Sequence, residues 1–152
     1  MGQFIDAGLN LLKQLEGCRL NAYQDQAGIW TIGYGHTGPE VRGGLGWPQA
    51  QANSTLMADV TRFATGVARY VPTSLNDNQF SALVIFAYNI GLVGFAASTA
   101  DKLVNAGDLA SVPDSMLRWD KIHQNGVLVV NPGLHKRRLA EINLWYTAPG
   151  LA

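Results

Sequence analysis

The sequence has little charge and almost no cysteine. Charged residues make up 14% of its 152 residues, and eleven basic side chains are balanced by eleven acidic ones. This balance gives no positive field that would attract nucleic acid or an anionic membrane, so neither is expected as a stable partner. The single cysteine, Cys18, cannot form an internal disulfide, which excludes a disulfide-stapled scaffold.

Long apolar runs are also missing. No stretch approaches the roughly eighteen apolar residues that a membrane span requires. The N-terminus has no basic region ahead of an apolar run, so we expect no signal peptide and synthesis in the cytoplasm. Hydrophobic residues nevertheless make up 47% of the chain, which is enough for a packed core. This length predicts a single domain over residues 1–152.

The first part of the chain changes from a helical pattern to a glycine-rich one. Ile5, Leu9, Leu12 and Glu16 recur at helical spacing, and Gly17 follows, which predicts a helix that ends there. Between about residues 17 and 46 the helical period disappears and glycine becomes frequent. We expect a small sheet in this region, with a hairpin formed by residues 20–23 and 29–34 and a third short strand at 40–42.

The rest of the chain is predicted to be helical. Pro48 suits a first helical turn, and apolar residues repeat from there on a long helix that ends near Pro72. An apolar segment at 80–90 follows the capping run 76–79, which predicts a buried central helix. Further helices are expected at about 99–105, 109–119 and 132–146. The fold class is therefore α+β: a sheet lobe at about 17–46, a helical lobe at about 73–152 that includes the N-terminal helix, and a cleft between them.

The segment from Glu16 to His36 holds a characteristic spacing. Glu16 is followed after eight residues by Asp25, after five more by Thr31, and then by the run Gly-Tyr-Gly-His at 33–36. This pattern resembles the tailed-phage lysozymes of glycoside hydrolase family 24. Two later blocks, at 75–91 and 133–141, match the same family in the same order. The resemblance covers nearly the whole chain and implies a lysozyme-like fold.

The resemblance implies an endolysin with muramidase activity. Such an enzyme cleaves the β-1,4 bond between N-acetylmuramic acid and N-acetylglucosamine in bacterial peptidoglycan and lyses the host cell. Glu16 would protonate the glycosidic oxygen, while Asp25 and Thr31 would hold and activate a water molecule. The residue types suit this reaction, since glycoside hydrolysis requires a proton-donating carboxyl group and a second carboxylate. The end of an apolar stripe and a helix C-terminus both favour a protonated Glu16.

Each catalytic candidate also has an ordinary structural interpretation. A glutamate at a helix end is usually a solvated charge, Asp25 suits a turn, and Thr31 is a common strand residue. The family spacing of all three favours the catalytic interpretation. The resemblance further implies substrate contacts on the cleft wall from Tyr88, Asn89 and Ser98, and structural roles near the site for His36 paired with Asp59 and for Arg137. The basic cluster at 135–138 would otherwise be explained as a solvated helix face.

Other enzyme classes fit the sequence less well. Cys18 and His36 could form a cysteine peptidase pair, but a helix C-terminus precedes Cys18, and its dipole opposes a thiolate. The glycines at 33, 35 and 38 have the spacing of the Gly-x-Gly-x-x-Gly motif that binds dinucleotides. That motif must be followed by a helix, and Pro39 follows here instead, so we expect no dinucleotide site. The three histidines lack the spacing of metal ligands, so we expect neither a metal nor a cofactor.

Two functional alternatives remain open. Many lysozymes of this family are basic and this chain is neutral, so a catalytically weak peptidoglycan-binding module is one alternative. The other is a lytic transglycosylase, which needs the acid but no pair that positions water. We expect a monomer that acts on peptidoglycan and collects in the host cytoplasm, because only fifteen residues precede Glu16. A holin would then be needed to open a path to the periplasm.

Overall fold

The computed structural model describes residues 2–150, which divide into two compact units. One unit contains residues 10–62, and the other contains the described residues before and after them. The helices of the described chain are α1 (Asp6–Glu16), α2 (Gln49–Ala68), α3 (Asp77–Ile90), α4 (Leu92–Ala96), α5 (Thr99–Asn105), α6 (Val112–Leu117) and α7 (Pro132–Tyr146). Its strands are β1 (Arg19–Gln24), β2 (Trp30–Gly33), β3 (His36–Thr37), β4 (Lys121–Gln124) and β5 (Val127–Val130).

Helix α1 ends where its sequence predicts. Gly17 follows Glu16 with a φ of 64°, and its N–H donates to the carbonyl of Lys13 at 2.9 Å. This left-handed cap satisfies one of the last carbonyls of the helix and turns the chain toward β1. The predicted end of the helix is therefore confirmed, and it brings Glu16 to the start of the sheet region.

The first sheet has the order β1-β2-β3 and is antiparallel. The hairpin of β1 and β2 confirms the hairpin predicted at 20–23 and 29–34. The third strand predicted at 40–42 is wrong, because the third strand of the sheet is β3, which lies earlier in the chain. The N–H of Val41 donates to the carbonyl of Gly38 at 3.0 Å, so a turn around Pro39 occupies the predicted position. Proline fixes this turn and has no N–H with which to join a strand ladder.

Helix α3 is the core of the unit that contains the described residues from 63 onward. Asn76 and Gln79 form a reciprocal capping box at its start, and residues 80–87 are buried without interruption. The helix packs against α7. The predicted buried helix is confirmed, as are the helices at α5 and α7. Helix α2 ends at Ala68, earlier than predicted, and a turn continues to Val71.

Two elements were not predicted. They are α4 and the hairpin of β4 and β5, whose turn contains Asn125 and Gly126 with φ values of 53° and 78°. An Asn-Gly pair is a common sequence signal for such a tight hairpin turn. Within residues 2–150, no helix is both long and apolar enough to cross a membrane.

Candidate active site

Glu16 lies against the backbone of the Gly-Tyr-Gly-His run. The residue is half-buried at the end of α1, and its carboxyl group occupies the space where a side chain at Gly35 would begin. A Cβ built on Gly35 would stand 2.6 Å from Glu16 Oε2. Gly35 also has a φ of 75°, a conformation that favours glycine. The carboxyl group can therefore occupy this position only because residue 35 has no side chain.

Asp25 is held in the hairpin turn by the backbone. Its Oδ1 atom accepts hydrogen bonds from the N–H groups of Ala27, at 2.8 Å, and Ile29, at 2.9 Å. The carboxylate is exposed, and among residues 2–150 its hydrogen bonds involve only Oδ1. This geometry fixes the direction of the carboxylate and leaves Oδ2 able to accept from a water molecule.

Thr31 is buried in the central strand of the sheet, opposite Tyr23. Its hydroxyl group donates to the carbonyl of Ile29 at 3.0 Å. Since the hydroxyl proton is used in this bond, Oγ1 presents its lone pairs to any further partner. Asp25 and Thr31 thus offer two acceptors, both oriented by Ile29, and two acceptors suit the two protons of a water molecule.

His36 joins two carboxylates within the same unit. Its Nδ1 atom lies 2.7 Å from Asp59 Oδ2, and its Nε2 atom lies 2.6 Å from Glu40 Oε1. Burial alone would lower the pKa of His36, but the hydrogen bonds and charges of both carboxylates outweigh it and raise this pKa above its ordinary value. The same contact lowers the pKa of Glu40. The structure brings His36 and Asp59 together as expected, and Glu40 is a second partner that no sequence pattern indicates.

The other unit contains a buried charge cluster on α7. Arg137 Nε and Arg138 Nη2 both donate to Glu141 Oε1, at 3.1 and 2.8 Å. All three residues are buried, so a solvated helix face does not describe Arg137 and Arg138. Burial lowers the pKa of Arg138 and raises that of Glu141, and each charge opposes the shift of the other. The spacing of three and four residues before Glu141 is the sequence signal that could have identified this cluster.

The three predicted substrate-binding residues differ in their surroundings. Tyr88 is half-buried, and its ring centroid lies 5.0 Å from that of Phe63. Asn89 is exposed, and its Oδ1 accepts from Arg138. Ser98 is buried and caps α5, because its hydroxyl group accepts from the Asp101 N–H and donates to the Phe95 carbonyl. Because the hydroxyl proton of Ser98 is used in one of these bonds, the side chain could offer a substrate only its remaining acceptor lone pair.

Known proteins resemble this chain over most of its length. The family model "Phage lysozyme" matches residues 13–141. The endolysin of Acyrthosiphon pisum secondary endosymbiont phage 1 is 38% identical over 143 residues, which are 94% of this chain and 97% of that relative. Some curated relatives are longer: the chain spans 53% of the endolysin of Bacillus phage B103, to which it is 38% identical.

Solved structures agree with the sequence matches. The muramidase domain of SpmX from Asticaccaulis excentricus has a TM-score of 0.89 at 35% identity, covering 97% of this chain and 100% of that one. An endolysin from Escherichia coli O157:H7 phage FAHEc1 has a TM-score of 0.86 at 36% identity, covering 95% and 93% of the two chains. The family model and these identities lead to one conclusion: this chain belongs to the phage lysozyme family.

Proposed function

We propose that this protein is a muramidase that hydrolyses the β-1,4 bond between N-acetylmuramic acid and N-acetylglucosamine in peptidoglycan. The observation that carries the proposal is the arrangement of Asp25 and Thr31 on the backbone of Ile29, in the same compact unit as Glu16. Membership of the phage lysozyme family supports the substrate class, and one structural relative is described as a muramidase domain.

Glu16 acts as the general acid in this mechanism. Its carboxyl group donates a proton to the glycosidic oxygen as the bond from that oxygen to the anomeric carbon breaks. The leaving sugar departs as a neutral alcohol, so no alkoxide has to form. The absence of a side chain at Gly35 leaves the space that this carboxyl group occupies, and its position matters because proton transfer depends on heavy-atom distance.

Asp25 and Thr31 prepare the water molecule. One proton of the water is donated to Thr31 Oγ1 and the other to Asp25 Oδ2, which directs an oxygen lone pair at the anomeric carbon. As the carbon–oxygen bond forms, Asp25 takes the proton that the water loses. Hydrolysis consumes one water molecule and leaves one glycan fragment with a new reducing end and one with a new hydroxyl group. Proton exchange with solvent then returns Glu16 and Asp25 to their starting protonation states.

Product analysis tests this proposal against both alternatives. Purified sacculi are digested with the protein or with Glu16→Gln, and the released fragments are identified by mass spectrometry. A muramidase releases fragments that end in reducing N-acetylmuramic acid, and the variant releases none. Fragments that end in anhydromuramic acid would instead identify a lytic transglycosylase. Tight binding to sacculi without any release would identify a binding module.

We also propose that the protein acts as a monomer and reaches the wall after a holin permeabilises the inner membrane. Expression in a bacterial host without a holin should then leave cells intact until chloroform is added, at which point they should lyse only if Glu16 is present. Prompt lysis without chloroform or a holin would overturn this part of the proposal.

A further inference from the structure

We propose that Arg19 is a specificity-determining residue that binds a carboxylate on the peptide substituent of N-acetylmuramic acid. This inference rests on the proposed function, because it concerns the sugar whose glycosidic bond is hydrolysed. Arg19 is exposed, and it belongs to the same compact unit as Glu16, Asp25 and Thr31. The inference gives a role to a cation that the mechanism does not use.

The register of the first sheet places Arg19 and Tyr23 next to Thr31. Tyr23 lies opposite Thr31, and Arg19 lies opposite Gly33. Residues that pair across an antiparallel sheet point to the same face, as do residues two positions apart in one strand. Arg19 and Tyr23 therefore share the face of Thr31. They are four positions apart in β1 but oppose residues only two positions apart in β2, which brings them within about 7 Å of each other along the sheet.

A neighbouring segment holds this irregularity in β1. The N–H of Ala22 donates to the Leu45 carbonyl at 2.9 Å, and the Leu20 carbonyl accepts from the Trp47 N–H at 2.8 Å. The backbone between Arg19 and Tyr23 thus bonds to residues 45–47 instead of β2. The short separation of the two side chains is therefore fixed by backbone hydrogen bonds.

The guanidinium group of Arg19 is stacked on the ring of Tyr23. Its central carbon lies 4.3 Å from the ring centroid, which is within the range of a cation–π contact. A guanidinium group that stacks through its face still has its N–H donors at its edges. Within residues 2–150, none of the ion pairs involves Arg19. Its charge can therefore be used by a ligand.

The proposed reaction brings a peptide-bearing sugar to this face. The water molecule held by Asp25 and Thr31 attacks C1 of N-acetylmuramic acid, because the bond that breaks joins this carbon to N-acetylglucosamine. The lactyl group that carries the stem peptide is attached to C3 of the same ring, two carbon–carbon bonds from C1. Since Tyr23 is the cross-strand neighbour of Thr31, the cation stacked on it lies on the side of the sheet where this substituent begins.

The stem peptide offers a carboxylate close to the sugar. Its second residue is a D-glutamate that is linked through its γ-carboxyl group, so its α-carboxylate is charged unless the wall amidates it. A guanidinium group binds a carboxylate through two parallel N–H bonds. The chain as a whole has balanced charge, so attraction to this anion must come from a local cation. Arg19 should therefore favour stem peptides with a charged α-carboxylate over amidated ones.

Two soluble peptidoglycan chains that differ only at this carboxyl group test the inference. We expect the wild type to have a kcat/KM about five- to tenfold higher on the charged chain than on the amidated one. The difference should lie in KM, because the carboxylate is remote from the bond that breaks and is bound equally in the ground and transition states. It should shrink at high salt, which screens an exposed charge. Arg19→Gln should cleave both chains with the same kcat/KM.

Arg42→Gln is the matched control, since it removes the same charge from an exposed residue of the same unit. Its preference for the charged chain should equal that of the wild type. A wild type without preference, or an equal loss of preference in Arg42→Gln and Arg19→Gln, would overturn the inference and leave the proposed function intact. Failure of the wild type to release reducing N-acetylmuramic acid from either chain would overturn both.

Tyr23→Leu tests Tyr23 as the positioning residue, because leucine removes the ring on which Arg19 is stacked. We expect this variant to lose most of the preference, and we expect the double variant with Arg19→Gln to lose little more. If Tyr23→Leu does not fold, Arg19→Lys takes its place, since lysine keeps the charge but lacks the planar donor group. Full preference in the folded variant would contradict the role of the stacked guanidinium group.

Discussion

Asp25 and Thr31 are linked through the backbone of a single residue. The N–H of Ile29 donates to Asp25 Oδ1 at 2.9 Å, and the carbonyl of Ile29 accepts the Thr31 hydroxyl proton at 3.0 Å. The hairpin therefore sets the positions of both groups before any substrate binds. Such preorganisation lowers the cost of ordering a water molecule in the transition state.

Thr31→Val removes the hydroxyl group and nearly preserves the shape of the side chain. We expect kcat to fall about tenfold or more, because the water loses one of its two acceptors. Stability should change little, since a hydrogen bond of this kind contributes ~0.5–1.5 kcal/mol. Thr37→Val is the control, because Thr37 lies opposite Thr31 in β3 but is exposed. Equal rates for the two variants would remove Thr31 from the mechanism.

Attack by a water molecule held at Asp25 should invert the configuration at the anomeric carbon. Inverting enzymes separate their two carboxyl groups by roughly 6.5–9.5 Å, which leaves room for that water. Proton NMR during the first turnovers of a soluble glycan should therefore detect the α-anomer at the new reducing end. Early appearance of the β-anomer, together with a trapped glycosyl-enzyme, would make Asp25 the nucleophile.

Gly35→Ala should damage the site more than the fold. The new Cβ would meet Glu16 Oε2 and displace the carboxyl group, and a misplacement of about 1 Å can cost roughly 10²-fold in rate. Gly44→Ala is the control for backbone strain, since Gly44 has a φ of 85° and open space around it. Each variant should lose about 1–2 kcal/mol of stability. Equal activity in the two variants would show that Gly35 does not position Glu16.

The contacts of His36 predict how stability depends on pH. Because the folded state raises the pKa of His36, its stabilisation is complete below the unfolded pKa of about 6.5 and is lost as pH rises through the folded pKa. Asp59→Asn should therefore destabilise the protein by about 1.5–3 kcal/mol at pH 5 and by less at pH 9. Chemical denaturation at both pH values measures this difference. A loss that is the same at both values would exclude a charged His36–Asp59 pair.

The sequence could predict those parts of the fold that depend on local signals. Helices α5 and α7 start after Ser98 and Asn131, whose side chains cap them as such residues commonly do. The predicted position of the third strand is wrong, because strand pairing depends on where the chain turns. Tyr34 and Gly35 turn the chain directly after β2, and the turn around Pro39 comes only after β3. The hairpin of β4 and β5 was missed although its Asn-Gly turn signal is present.

The residues of the candidate site can be proposed from the sequence, but their arrangement cannot. The spacing of Glu16, Asp25 and Thr31 matches a family pattern in the sequence. The shared contacts with Ile29 and the approach of Glu16 to Gly35 depend on how the hairpin folds against the end of α1. The second carboxylate on His36 and the contact of Arg138 with Asn89 likewise depend on tertiary packing, which no local pattern specifies.

The rate of Glu16→Gln on purified peptidoglycan is the measurement that tests the central claim most directly. Glutamine has nearly the same shape as glutamate but cannot donate the proton, and general acid catalysis commonly contributes about 10²–10⁴-fold in rate. We expect the variant to keep the wild-type circular dichroism spectrum and melting temperature within a few degrees, and to lose at least about 10²-fold in the release of reducing ends. A folded Glu16→Gln protein that clears the suspension at nearly the wild-type rate would contradict the assignment of Glu16 as the catalytic acid.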